Sequence, residues 1–268
     1  MLETVKRQID SLRAARVLRQ SRHRTALKDV PPGLYDYWRR SAHLEFTGIP
    51  RDRVFFVTAL AGLLDFFACV RDSGKPCGLP SAAADSVWHA WAQRAPQGLA
   101  RFCTTHFRQA IPHVEEVDMK LQMVGALATC MVQARRLERR DPLKPSVPAL
   151  FALDRKLRMP RGYSYELKNG AVALQRLNAQ GLPDGWRRYQ GGLAGVELLA
   201  AGLISQQVYD RQEKHQASVG GSCGSISSCG SSDSGAGSCD SGAGSCDGGS
   251  GSSCGSSCGS GCGGGCGS

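Results

Sequence analysis

The residues in this chain best suited to chemistry lie in "ADSVWHAWAQRAPQGLARFCTTHFRQAIPHVEE", where three of the six histidines and one cysteine fall within 25 positions. Asp85 and His89 are four apart and Cys103 and His106 three apart, so on helices each pair shares a face. Two antiparallel helices joined by "APQG" would bring those faces together, with His113 arriving from the following loop. Imidazole, thiolate and carboxylate are the usual zinc ligands, and a zinc site needs three or four of them converging. Asp85, His89, Cys103, His106 and His113 are therefore the candidate metal ligands of the body. Their spacing matches no standard zinc finger and contains no CxxC. The same residues also suit a packing role, with Trp88 and Phe102 in the core, Cys103 an ordinary buried thiol and the histidines hydrogen-bonded. A nucleophile triad of Cys103, His89 and Asp85 is a third reading, with no oxyanion-hole motif beside it. No P-loop, dinucleotide fingerprint, HExxH or GxSxG occurs, so these motifs point to no catalytic residue.

A second set of reactive groups closes the chain. From Gly220 onward, Gly, Ser and Cys fill 43 of 49 positions, with eight cysteines: Cys223, Cys229, Cys239, Cys246, Cys254, Cys258, Cys262 and Cys266. The last four are spaced evenly by four, and "DSGAGSC" occurs twice in tandem, at 233–239 and 240–246. In a flexible chain such thiols supply clustered soft ligands for zinc or copper(I), each binding event ordering a short loop. Six of the eight follow Ser, a composition resembling peptides whose Ser and Cys side chains are cyclised to azoles, so modification is an alternative. Repeat expansion without selected chemistry is the remaining one.

The elements that must position the body residues follow from periodicity. The chain has 268 residues with a formal net charge of +10. All 33 Lys and Arg precede Gly220 together with 20 of the 23 acidic residues, so the body carries +13 and the tail −3. A body of residues 1–215 is long enough for a substantial core, with a sub-boundary at the prolines near 141–148; residues 216–268, almost without large apolar side chains, are expected to be disordered. Residues 2–27 read as a basic amphipathic helix with Val5, Ile9 and Leu12 on one stripe and Arg13, Arg16, Arg19 and Arg22 stepping by three, either a solvated face or a dock for an anionic partner. "GLYDYWRRSAHLEF" continues helical spacing through Leu34, Tyr37, Trp38 and Leu44. "VFFVTALAGLLDFFACV" is apolar nearly all round, yet it is short for a bilayer span and contains Asp65, which favours a buried central helix over a membrane span.

Helices are expected over 83–94 and 97–108, then over 114–139 with Val117, Leu121, Val124, Ala128 and Met131 on the core stripe, then in "ALFALDRKLRM". "YSYELKNGAVALQ" alternates instead, and Asn169-Gly170 predicts a small hairpin that sets Val172 and Leu174 against Leu167 and Tyr165, the alternative being a helix over 171–180. A last apolar helix covers "LAGVELLAAGLISQQVYDRQ". The fold class expected is mainly α, an irregular helical bundle with a small β-hairpin. The N-terminus has no apolar h-region or cleavage site, so a cytoplasmic location with reduced thiols is expected. Basic residues are scattered over several elements and no nucleic-acid module is recognisable, which argues against nucleic acid as the partner.

The run "DSVWHAW", then "FCTTHF", then "IPH", followed by "PALFALDRKLRMPRGYSY" and a Cys/Gly-rich end, resembles the bacterial glycine-rich domain-containing proteins. These look related to the amino-terminal region of plant glycine-rich domain proteins. The resemblance singles out Asp85, Trp88, His89, Cys103 and His113. In the bacterial pattern an aromatic-Gly pair follows the cysteine helix and a double His closes the motif; here those places hold Phe107-Arg108 and Pro112-His113. One ligand fewer is then available unless His106 substitutes. The resemblance implies no particular reaction.

Overall fold

The computed structural model describes residues 2–111, 123–140, 146–168, 171–189, 193, 195–200 and 202–219. Residues 216–219, expected to belong to a disordered tail, are helical; the rest of that tail, the prolines at 142 and 145, His113 and the Asn169-Gly170 turn lie outside the described residues. Among the described residues the protein is mainly α-helical, with ten helices and one three-stranded antiparallel sheet.

The organising element is α4 (Arg53–Ser73), which packs against α1 (Leu2–Gln20), α5 (Ala82–Arg94), α6 (Pro96–Phe107), α7 (Met123–Leu137) and α8 (Leu153–Leu157). Thirteen of its residues are buried, from Phe55 to Cys69, as expected of a helix apolar on all sides. It is long and apolar enough to cross a membrane, but most of its apolar stretch is enclosed within the fold. Asp52 caps it by accepting from the Phe55 amide at 2.9 Å, and Gly74 ends it in the left-handed region with φ +60°. Asp65, the one acidic residue amid the apolar run, is met by Arg22 at 3.2 Å and His23 at 3.0 Å.

The amino-terminal helix divides where one helix was expected. α1 stops at Gln20 and α2 (Arg24–Lys28) follows, so Arg22 and His23 lie in the turn that reaches Asp65. Its buried face is also not the predicted one. Ala14 is 2% exposed with Val17 and Leu18 beside it, whereas Ile9 and Leu12 are exposed. A small residue lets α1 approach α4 closely, and that contact outweighs the count of large apolar side chains on the other stripe. In α3 (Leu34–Glu45), Leu34, Trp38 and Ala42 are buried while Leu44 faces out, and Trp38 Nε1 donates to Ser86 Oγ on α5 at 3.0 Å.

Helices α5 and α6 fall within a residue of the expected ranges; Pro96 starts α6 where its missing N–H is harmless. In α7, Ala128 and Met131 are buried as expected and Val124 is exposed; Val117 and Leu121 lie outside the described residues. Strands β1 (Tyr163–Lys168) and β2 (Ala171–Leu177) pair with Leu167 opposite Val172 and Tyr165 opposite Leu174, the predicted register. The helix alternative over 171–180 is thus excluded. A third strand, β3 (Pro183–Tyr189), pairs with β2 and was not foreseen. The last expected helix is two, α9 (Gly195–Ala200) and α10 (Gln206–Val219), because Gly202 adopts φ +64° and the Leu203 amide returns to the Leu198 carbonyl.

Candidate functional site

The helices carrying the His/Cys cluster form as expected, and their side chains find other partners. His89 sits on α5 with its Nδ1 2.6 Å from Glu45 Oε2, at the end of α3, and its Nε2 3.5 Å from Asp85 Oδ2. Gln93 Nε2, one turn on, donates to the other Glu45 oxygen at 2.6 Å, and Phe46 meets the ring edge-on at 5.8 Å. The i,i+4 relation of Asp85 and His89 is real, but the third group at this partly exposed position is Glu45 and not Cys103.

Cys103, on α6, has no exposed surface. Burial pushes its thiol up to about 11, against a weaker opposing hydrogen bond with the Ile111 backbone. At neutral pH only about one such thiol in ten thousand is ionised, and a substrate has no access to it, so the geometry is that of a core residue rather than a nucleophile. His106, three residues on, turns to α2: its Nε2 is 2.9 Å from Asp29 Oδ2 and its ring packs on Phe102 at 4.7 Å. The structure thus brings together Asp85 and His89, sends His106 to Asp29, and encloses Cys103. Among the described residues no group of three or more His, Cys, Asp or Glu is placed to hold a metal ion.

Two arrangements escaped sequence reasoning. Asp154 on α8, 1% exposed, accepts from Ser81 Oγ at 2.6 Å and from the amides of Ala83 at 2.9 Å and of Ala82 and Tyr163 at 3.0 Å each. Burial pushes its carboxyl above the usual carboxylate range, with these hydrogen bonds opposing it. Gly162 passes so close that a Cβ there would lie 2.6 Å from Asp154 Oδ2. With its lone pairs taken up by the first turn of α5 and the start of β1, Asp154 anchors elements and is closed to solvent. A carboxylate inside the apolar run "ALFALDRKL" is the signal that marks it. The second arrangement is the meeting of Cys69, Cys77 and Cys130, dispersed in sequence and without a CxxC.

Two open grooves are lined by arginines. One, of about 730 Å³, is bounded by Arg22, Arg136, Arg139, Asp72 and Glu138 among others; a smaller one, of about 360 Å³, by Arg39, Arg40, Arg51, Asp36 and His43. A family model described as UCP032817-like matches residues 52–181, which span α4 to the β2–β3 turn and contain Asp154 and the cluster helices. No curated protein and no solved structure matches the chain.

Proposed function

We propose that this protein is a non-enzymatic carrier of soft metal ions, copper(I) or zinc, whose ligands are the eight tail thiols and whose helical body is the platform that bears them. The observation that carries this reading is the even spacing of Cys254, Cys258, Cys262 and Cys266 in a Gly/Ser chain, which can wrap a thiophilic ion without backbone strain. In the body, His89 lies against Glu45, Cys103 is enclosed in the core and His106 lies against Asp29, so the tail thiols are the more accessible ligand set in this reading. A body zinc site would need His113 together with release of these contacts. The likeness of "DSVWHAW" and "FCTTHF" to glycine-rich domain proteins falls inside the matched stretch and is part of this proposal, as is a reducing, cytoplasmic setting that keeps the thiols available.

The test is titration of the full-length reduced protein with copper(I) or zinc against a competing chelator. Uptake should vanish when the eight tail cysteines are replaced by serine and persist in Cys103→Ser. A protein whose thiols all react freely, whose mass equals that of the sequence and which takes up no metal would overturn it. Cyclisation, suggested by the Ser that precedes six of the eight cysteines, would instead lower the intact mass by one water for each azoline ring, and by two further hydrogens for each ring oxidised to an azole, and would remove thiol reactivity.

A further inference from the structure

Three of the four body cysteines meet where the end of α4, the loop 74–81 and α7 come together. Cys69 and Cys130 are enclosed, 1% and 0% exposed, and Cys77 is only half-buried. Cys77 Sγ lies 3.8 Å from the Cys69 carbonyl oxygen, and the Cys130 thiol interacts with the thiols of both Cys69 and Cys77. The Gly78 amide donates to the Ala126 carbonyl at 3.0 Å, which fastens the loop to α7 one turn before Cys130. The loop leaves α4 through Gly74 at φ +60° and contains Pro76 and Pro80, so Cys77 is the one member of the trio not held in a helix.

We infer that Cys77 and Cys130 form a peroxide-responsive dithiol that closes to a disulfide across the contact between the loop 74–81 and α7. The two thiols differ in the way this requires. The hydrogen bond with Cys130, helped by Ser73, holds Cys77 below the ordinary thiol range against its partial burial, whereas burial pushes Cys130 well above it. The Cys77 thiolate attacks one oxygen of hydrogen peroxide; the O–O bond breaks, Cys77 becomes a sulfenic acid, and the other oxygen leaves as hydroxide and takes up a proton. Cys130 sulfur then attacks the sulfenic sulfur, the S–O bond breaks, and the Cys130 proton leaves with the hydroxyl as water. Two thiols have lost two electrons and two protons, and one peroxide has become two waters. Cys69, fixed in α4, stays a thiol. The inference is independent of metal binding by the tail.

The experiment treats the full-length reduced protein with one equivalent of hydrogen peroxide, alkylates it and digests it with trypsin. Cys69, Cys77 and Cys130 fall in separate tryptic peptides, 54–71, 72–94 and 121–135. The expected product links 72–94 to 121–135 and is released by dithiothreitol. The same link should appear, with loss of two hydrogens from the intact mass, when the eight tail cysteines are serine. Cys69→Ala should keep the link, and Cys130→Ala should leave a Cys77 sulfenic acid that dimedone captures. The wild-type link is read directly, so it decides the question even if the Cys130 variant fails to fold. A link from Cys130 to Cys69, oxidation of Cys77 without a link to Cys130, or no oxidation of the three overturns the inference.

Discussion

Asp154 shows how much one side chain can hold. Its two oxygens serve one hydroxyl and three amides, from Ser81, Ala82, Ala83 and Tyr163, so a helix start and a strand start are fixed to α8 through it. Asparagine would turn an NH₂ toward two of those donors, and alanine would take the acceptor from one buried and two partly buried amides. Asp154→Asn should cost about 2–4 kcal/mol and Asp154→Ala about 3–5 kcal/mol in urea unfolding. A loss below about 1 kcal/mol for both would mean that water replaces the carboxylate. Cys103 has its own signature. Its native thiol, pushed up to about 11, holds its proton more tightly than the unfolded one. Its contribution to stability is therefore fully present below the unfolded pKa of about 8.5 and is lost as pH rises to 11, about 3 kcal/mol in all. Denaturation of wild type against Cys103→Ala across that range should show the slope only in wild type, beyond what Cys130 gives to both.

At the scale of elements, the sheet separates what local pattern can encode from what it cannot. Strands β1 and β2 alternate visibly in sequence, and Tyr165 and Val172 on one face are buried, Tyr165 against Phe151 at 5.0 Å. β3 carries no such alternation: all seven of its residues are exposed, Trp186 93% so, and "PDG" at its start has turn composition. Its strand state comes from pairing with β2, arranged by Asn178, whose Oδ1 accepts from the Gln180 and Leu182 amides. Gly181 completes that turn at φ +70°, where a Cβ would lie 2.1 Å from the Arg158 carbonyl oxygen. Gly181→Ala should destabilise the protein by roughly 2–4 kcal/mol, from both the strained backbone and the clash. A thermal midpoint unchanged from wild type would refute the close approach. The amino-terminal helix teaches the same point from the other side. Periodicity marked Ile9 and Leu12, but burial went to Ala14, because small size at a helix crossing is not a hydrophobicity signal.

Over the whole molecule, the +13 of the body is spread over many elements, among them α1, where Arg13, Arg16 and Arg19 are exposed, and the two arginine-lined grooves. Heparin should retain the protein at low ionic strength and release it as salt rises past ~0.15 M, where the screening length falls to about 8 Å. Replacing Arg13, Arg16 and Arg19 by Gln should bring elution to lower salt; unchanged elution would assign the retention to the grooves. The amino-acid sequence by itself determined the helical class, the central apolar helix, the extents of α5 and α6 and the hairpin register, since each rests on contacts between near neighbours in the chain. Only the tertiary structure decided the partners. Glu45 reaches His89 across 44 residues and Asp29 reaches His106 across 77, while Cys130 meets Cys69 and Cys77 from another helix. Periodicity tells which face of a helix is apolar; which side chain stands opposite a given histidine or thiol depends on how separate helices cross, and long-range packing alone sets that.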